Sequence, residues 1–254
     1  MHPMPQRQKL SPELAPHPCS SCQFGAASIW QPVADEQRNV LARSFVRRSL
    51  TPDDTLFAQG APNDAVYCLS KGLIALRGYR PDGGSALLRL VYPGDILGFR
   101  SFLMEDVHQT DATALVPSRV CLVARRDARN IVSGSPQTLG RIARRCAEEL
   151  ARTRDWQRAS VKTNNHKRLA QLILELVKGL APDAEGPLRL RLPLSRQDMA
   201  AALGVEPETV SRLIRRLRDD GVLRISGRWV DVGSLDQLGK ICRGHEEFQA
   251  ASTL

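Results

Sequence analysis

A chain of 254 residues, 42% of them hydrophobic, has room for one large domain or two with ordinary cores. The formal net charge is +9, and residues 158–230 hold 14 Lys and Arg against 8 Asp and Glu; a basic stretch of that kind suits a polyanion, nucleic acid first. No stretch is apolar for the ~20 residues of a membrane span, the first residues lack a secretory apolar run, and six cysteines without such a signal point to a reducing cytoplasm rather than a disulfide scaffold.

Residues 1 to about 18 are rich in Pro, Gln and His and are expected to be disordered. Cys19-Ser-Ser-Cys22 follows, within a flexible segment expected over 1–30. A C-x2-C pair can grip a metal or cluster iron, or be two exposed thiols. Asp35–Leu50 predicts a helix, with Val40, Leu41, Phe45 and Val46 inward and Arg43, Arg47 and Arg48 outward. The period then changes. Val66–Leu69, Leu73–Leu76, Ala86–Val91 and Val120–Val123 are short apolar or alternating runs, separated by Gly60, Gly72, Asp82-Gly83-Gly84 and Pro93-Gly94-Asp95. Such spacing predicts a β-sandwich or barrel, assigned here to 31–134.

From Pro136 to Lys178 the pattern is helical again. Leu139, Ile142, Cys146, Leu150, Thr153, Trp156 and Ser160 recur at threes and fours. A run of ~25 residues without a breaker reads as one strand of a coiled coil joining two subunits, or as a helix laid on its own β domain. The dimerisation helix is placed at 135–163 and a hinge at Asn164-Asn165-His166. Leu188–Leu192 alternates like an edge strand, Leu235–Ile241 like a short helix, and 239–254 is a tail with no reading.

The stretch Leu194–Gly221 is the most informative. Ser195 with Asp198 three residues on resembles a capping box, and Gly204 ends the helix that Met199, Ala200 and Leu203 line. Pro207 suits the first turn of a second helix, whose Val210, Leu213, Ile214 and Leu217 form an inward stripe. Two short helices around a Gly turn make a helix-turn-helix. Glu208, Ser211, Arg212 and Arg215 share the other face, where Arg can bond a guanine edge and Glu can accept from cytosine N4. Val222–Ile225, a Ser226-Gly227 turn and Arg228–Val232 then predict a hairpin, the wing. No nucleophile–base pair stands out and only five His are present, so no enzyme is proposed. A nucleotide-binding module controlling something other than DNA fits the helix-turn-helix less well.

LSRQDMAAALGV followed by ETVSRLIRRLRDDGVL resembles the bacterial transcription regulators of the CRP–FNR family, grouped around the cyclic-AMP receptor protein and the fumarate–nitrate reduction regulator. FAQGAPNDAVYCLSKGLIAL and VYPGDILGF resemble the jelly-roll sensor domain of that family, so the likeness spans about Leu50–Leu235. It implies an α+β chain: a β jelly-roll, cyclic-nucleotide-binding-like sensor domain, a long dimerisation helix and a winged helix-turn-helix over 164–238. It also implies a homodimeric activator that reads promoter DNA and contacts RNA polymerase. Ser195 and Arg196 join Glu208, Ser211, Arg212 and Arg215 as expected DNA-binding residues. Glu208, Ser211 and Arg212 fall on the reading positions of the oxygen-regulator branch, whose half-site is of the TTGAT type.

Members that bind cyclic AMP carry Gly-Glu and Arg-Ser pairs; here Phe99 and Thr110-Asp111 stand at those places, so cyclic AMP is not expected. Oxygen-sensing members hold an iron–sulfur cluster with three N-terminal cysteines, spaced C-x2-C-x5-C, and a fourth in the β domain. Cys19, Cys22 and Cys121 match three of these, and Ser28 stands at the remaining position. A hydroxyl is a poor substitute for thiolate, so the resemblance implies a labile cluster, a thiol switch, or vestigial cysteines with another ligand or a constitutive regulator. Cys68 and Cys146 read as core fillers and Cys242 as either.

Overall fold

A computed structural model describes residues 17–31, 33–79, 85–162, 164–181 and 183–243. The expectations for residues 1–16 and for the tail beyond 243 lie outside them. Eight short strands build two antiparallel sheets. The first runs β1 (Phe45–Leu50), β8 (Ser118–Ala124), β3 (Ala65–Lys71), β6 (Ile96–Leu97). The second runs β2 (Thr55–Phe57), β7 (Asp111–Ala114), β4 (Ile74–Tyr79), β5 (Ser85–Val91).

Strand side chains alternate between faces, so each sheet has two surfaces to bury. Tyr67, Leu69, Leu97 and Val120 meet Ile74, Val91, Ala112 and Ala114 between the sheets. On the far side of the first sheet, Val66, Ile96 and Val123 pack under Leu41 of α1 (Asp35–Ser44), Ala128 and Ile131 of α3 (Arg125–Gly134) and Ile142 of α4 (Pro136–Lys162). The short helix α2 (Phe99–Met104) closes one end with Phe99 and Phe102.

The helix expected over Asp35–Leu50 ends at Ser44. Phe45–Leu50 instead pairs residue for residue with Val123–Ser118. Aromatic and β-branched residues suit a ladder, and the edge of the sheet wins over a pattern that also fits a helix turn. The segment expected to be flexible over 1–30 is, from His17 on, docked: Ile29 and Trp30 are buried in the core beneath α1 and α4.

Beyond α4, Asn164 caps α5 (Asn165–Leu180), its side chain accepting from the His166 N–H at 3.0 Å. The break between α4 and α5 therefore falls just before and at Asn164, and Asn165 and His166, the rest of the expected hinge, already lie in α5. α6 (Arg196–Leu203) and α7 (Pro207–Asp219) form the helix-turn-helix. β10 (Leu223–Ser226) and β11 (Trp229–Val232) form the wing, and β9 (Leu188–Arg191) lies at the edge of their sheet, as its alternation predicts. α8 (Leu235–Arg243) packs on α5. Leu73, just before β4, and Ala75 and Leu87 of the second sheet share one core with α5 and α6, so the two-sheet half and the helix-turn-helix half pack together.

Candidate nucleic-acid interface and cysteine site

The Ser195 Oγ accepts from the Asp198 N–H at 3.0 Å, and Asp198 Oδ2 accepts from the Ser195 N–H at 2.9 Å, a full capping box. The Ser195 hydroxyl also donates to Asp198 Oδ2 at 2.8 Å, so this predicted DNA contact is engaged in the cap, while Arg196 is exposed. Arg77 of β4 binds the same carboxylate across the domain boundary. Burial pushes the Asp198 carboxyl up, but the bonds from Arg77 and Ser195 outweigh it and hold it below the ordinary carboxylate value.

Gly204 takes the left-handed conformation, φ 65°, that lets the chain turn into α7. Val210, Ile214 and Leu217 are buried against α5 and α6. Glu208, Arg212 and Arg215 are exposed and, with Ser211, line one open depression on the opposite face. Ser211 donates to the Pro207 carbonyl at 3.1 Å, and Arg212 Nη2 donates to Thr209 Oγ1 at 3.1 Å. The structure thus brings together the four residues of the predicted reading face. Arg216 and Arg218 sit in the last turn, where the helix dipole favours cations.

The cysteine loop winds through successive turns: Cys22 N–H to Cys19 O at 3.1 Å, Gly25 N–H to Cys22 O at 2.7 Å, Ser28 N–H to Gly25 O at 3.0 Å. Arg141 of α4 donates to the Ser28 carbonyl at 3.1 Å, and Arg47 of β1 donates to the Pro18 carbonyl at 3.1 Å. Cys19 Sγ and Ser28 Oγ share a hydrogen bond at 3.4 Å. Burial pushes the Cys19 and Cys121 thiols up, and Arg47 draws both down. Cys121 lies opposite Arg47 on one side and opposite Cys68 on the other. Among the described residues no three His, Cys, Asp or Glu side chains stand close enough to hold one metal ion. The cysteines are neighbours rather than a closed cage.

At the cyclic-AMP positions Phe99 is buried in the core and Asp111 Oδ1 accepts from the Gln59 N–H at 2.6 Å. Phe99 offers no carboxylate to a ribose hydroxyl, and Asp111 offers a negative charge rather than a guanidinium to a phosphate.

On α4, Leu139 and Leu150 are exposed. Ile142 is not: it is fully buried in the core of its own chain, one step round the helix, and Cys146 is half-buried against the same core. Ile142 therefore faces the first sheet, and the expectation that it lines the seam is corrected. The Trp156, Thr153 and Ser160 side chains lie outside the described part.

Sequence reasoning missed three anchors. Arg168 is buried and donates to the Leu203 carbonyl at 2.8 Å, holding the end of α6 to α5. Arg77 and Arg141 tie segments far apart in the chain. No local pattern marks any of them.

Residues 167–241 match the Crp-like helix-turn-helix domain family and residues 47–135 the cyclic nucleotide-binding domain family. The transcriptional regulatory protein btr of Bordetella pertussis is 29% identical over 92% of this chain and 98% of its own length. The fumarate and nitrate reduction regulatory protein of Escherichia coli is 26% identical, over 83% of this chain and 82% of its own. The solved structure of FixK2 from Bradyrhizobium japonicum superposes with a TM-score of 0.64 at 26% identity, covering 77% of this chain and 96% of that one.

Proposed function

Since this chain is a DNA-binding transcription regulator of the CRP–FNR family, we propose that two copies pair along α4 and offer two α7 helices to an inverted repeat on double-stranded DNA. Half-sites about 34 Å apart, one helical turn, fit such a two-fold dimer. The observation that carries the reading is the division of α7, apolar and buried on one side, with Glu208, Arg212 and Arg215 exposed on the other. Arg212 takes O6 and N7 of a guanine, Glu208 accepts from the N4 of its partner cytosine, and Ser211 meets the neighbouring thymine. These are the contacts of a TTGAT-type half-site. Arg215, Arg216 and Arg218 meet phosphates, and Arg196 supports the docking. At promoters it activates, the bound dimer contacts RNA polymerase in the cytoplasm.

The regulated input is redox state, and the loop of Cys19 and Cys22 over Cys121 is its receiver. That loop is fastened to α4 through Arg141 and Ile29–Trp30, so a change at the cysteines reaches the dimer helix directly. An iron–sulfur centre held there would make the pairing responsive to oxygen. The roles of Phe99 and Asp111 support this input over a cyclic nucleotide.

The test is a titration of the protein against a TTGAT inverted repeat and its single-base variants. Arg212→Ala is expected to cost about 1–3 kcal/mol per half-site and to relax the preference at one G·C pair. Arg216→Ala should weaken binding to every sequence alike and flatten its salt dependence. Equal losses on all sequences for Arg212→Ala would make it a phosphate contact, and the reading face would have to be reassigned.

A further inference from the structure

Two side chains of the open face of α7 are bonded within the helix itself. Ser211 Oγ donates to the Pro207 carbonyl, four residues back, at 3.1 Å. Arg212 Nη2 donates to Thr209 Oγ1, three residues back, at 3.1 Å. A serine hydroxyl has one proton and two lone pairs. With the proton given to a carbonyl of its own helix, only the lone pairs remain for a partner outside. Ser211 is half-buried, and with Pro207, Glu208, Arg212 and Arg215 it lines the open depression of that face. Its oxygen thus meets whatever enters the depression as an acceptor.

Base edges differ in what they offer such an atom. In the major groove thymine shows the O4 acceptor and a methyl group, and guanine shows the acceptors N7 and O6. Only adenine N6 and cytosine N4 carry protons there. An oxygen whose proton is already used is repelled by O4, O6 and N7 and is bonded by N6 or N4. Glu208 stands three residues before Ser211 on the same face, and a carboxylate also accepts. Residues three apart on a helix are about 5–6 Å apart at Cβ, within reach of two stacked bases of one strand. Arg212, in contrast, has only donors. In a TTGAT half-site, the cytosine paired with the guanine and the adenine paired with the preceding thymine are adjacent on one strand, and both carry amino groups.

We propose that Ser211 reads its base pair as an acceptor: it takes an N6 amino proton of the adenine and offers the thymine paired with it no hydrogen bond. The inference rests on the α7 reading above and names the group on the DNA that Ser211 selects. Glu208 and Ser211 take the amino groups of adjacent cytosine and adenine on one strand, while Arg212 takes the guanine of the other. A cytosine in place of that adenine keeps an amino proton for Ser211, whereas a thymine in its place presents O4 to the serine lone pairs.

The experiment titrates the full chain against the TTGAT inverted repeat by fluorescence anisotropy, with a scrambled duplex for reference. Two modified repeats carry, in each half-site, an unsubstituted purine in place of that adenine, which removes the amino group, or uracil in place of the thymine, which removes the methyl group. Two more place cytosine or thymine at the adenine position, each with its complement. Wild type, Ser211→Ala and Arg212→Ala are compared, and circular dichroism checks that the variants fold. Wild type is expected to lose about three- to tenfold per half-site on the purine repeat, the weight of one hydrogen bond. Ser211→Ala should show a loss of that size on the parent repeat and no further serine-dependent loss on the purine repeat. A purely structural effect of Ser211→Ala would leave the purine penalty intact, and that result overturns the proposal. Wild type should bind the cytosine repeat better than the thymine repeat, and the reverse order also overturns it. A wild type indifferent to the missing amino group but weakened by the missing methyl group makes the contact one with thymine, and overturns the proposal while the α7 reading stands. An Arg212→Ala protein that prefers the repeat over the scrambled duplex as strongly as wild type overturns both.

Discussion

Gly25 shows how tightly the cysteine loop is wound. A Cβ there would lie 2.3 Å from the Cys19 carbonyl oxygen, a backbone atom that cannot give way without opening the turn. Gly25→Ala is therefore expected to destabilise the loop by about 1–3 kcal/mol, the usual cost of overpacking. Gly60 has open space around it and a φ of 82°, so Gly60→Ala should cost only the strain of that backbone conformation, about 1 kcal/mol. Denaturant titration of both variants checks the difference, and equal losses would mean that the loop adapts. Some residues of the site were legible for a physical reason. Glu208, Ser211, Arg212 and Arg215 stand out because a helix that buries Val210, Ile214 and Leu217 must expose the opposite face. Cys68 packs against the core, as its apolar neighbours suggest. Only the register of β3 on β8 puts it against Cys121, and register is a long-range property.

Among the elements, α4 faces two ways. Its core side carries Ile142 and its open side Leu139, Ala143 and Leu150. Periodicity gives the helix but not the boundary between these stripes, because Ile142 and Leu139 are less than one turn apart. Substitutions on the two sides should act differently. Ile142→Glu would bury a charge in the core of a single chain and is expected to prevent folding rather than pairing. Leu150→Glu leaves the chain folded and, if α4 is the seam, places two like charges across it. Its dimer dissociation constant should rise by about tenfold or more, the weight of ~1.4 kcal/mol. Sedimentation at several concentrations, with circular dichroism for both variants, reads the two outcomes. A Leu150→Glu protein that dimerises as tightly as wild type would place the seam on another face. β1 carries the related lesson. Phe45–Leu50 reads as helix from its own spacing and becomes strand because Ser118–Ala124 offers it an edge.

At the scale of the whole molecule, the two-sheet half and the DNA-binding half are joined by an apolar contact and the Arg77–Asp198 clasp. Three titrating groups bear on the stability of this assembly, and all act in one direction. Burial draws the His108 imidazole down where it stacks on Phe57, with ring centroids 3.8 Å apart. Burial, with Arg216 beside it, draws His166 down despite Asp220 at 3.5 Å. A histidine whose folded value lies below its unfolded one is stabilising above about pH 6.5, and that contribution is lost as pH falls towards the folded value. For Asp198, with its value also depressed in the fold, the contribution is present above about pH 3.9 and is lost as pH falls further. The thermal midpoint is therefore expected to be flat from about pH 8 to 7, to decline below about pH 6.5, and to decline again below about pH 4. His166→Asn should flatten part of the first decline. Arg77→Ala should remove about 1–3 kcal/mol at neutral pH by leaving a half-buried carboxylate without its cation. It should also weaken the second decline, because Asp198 then titrates nearer its unfolded value. Calorimetry across pH 3–8 on the three proteins tests this, and a wild-type midpoint that does not fall below about pH 6.5, or an Arg77→Ala protein whose second decline is as steep as that of wild type, would show that these groups do not govern the acid behaviour.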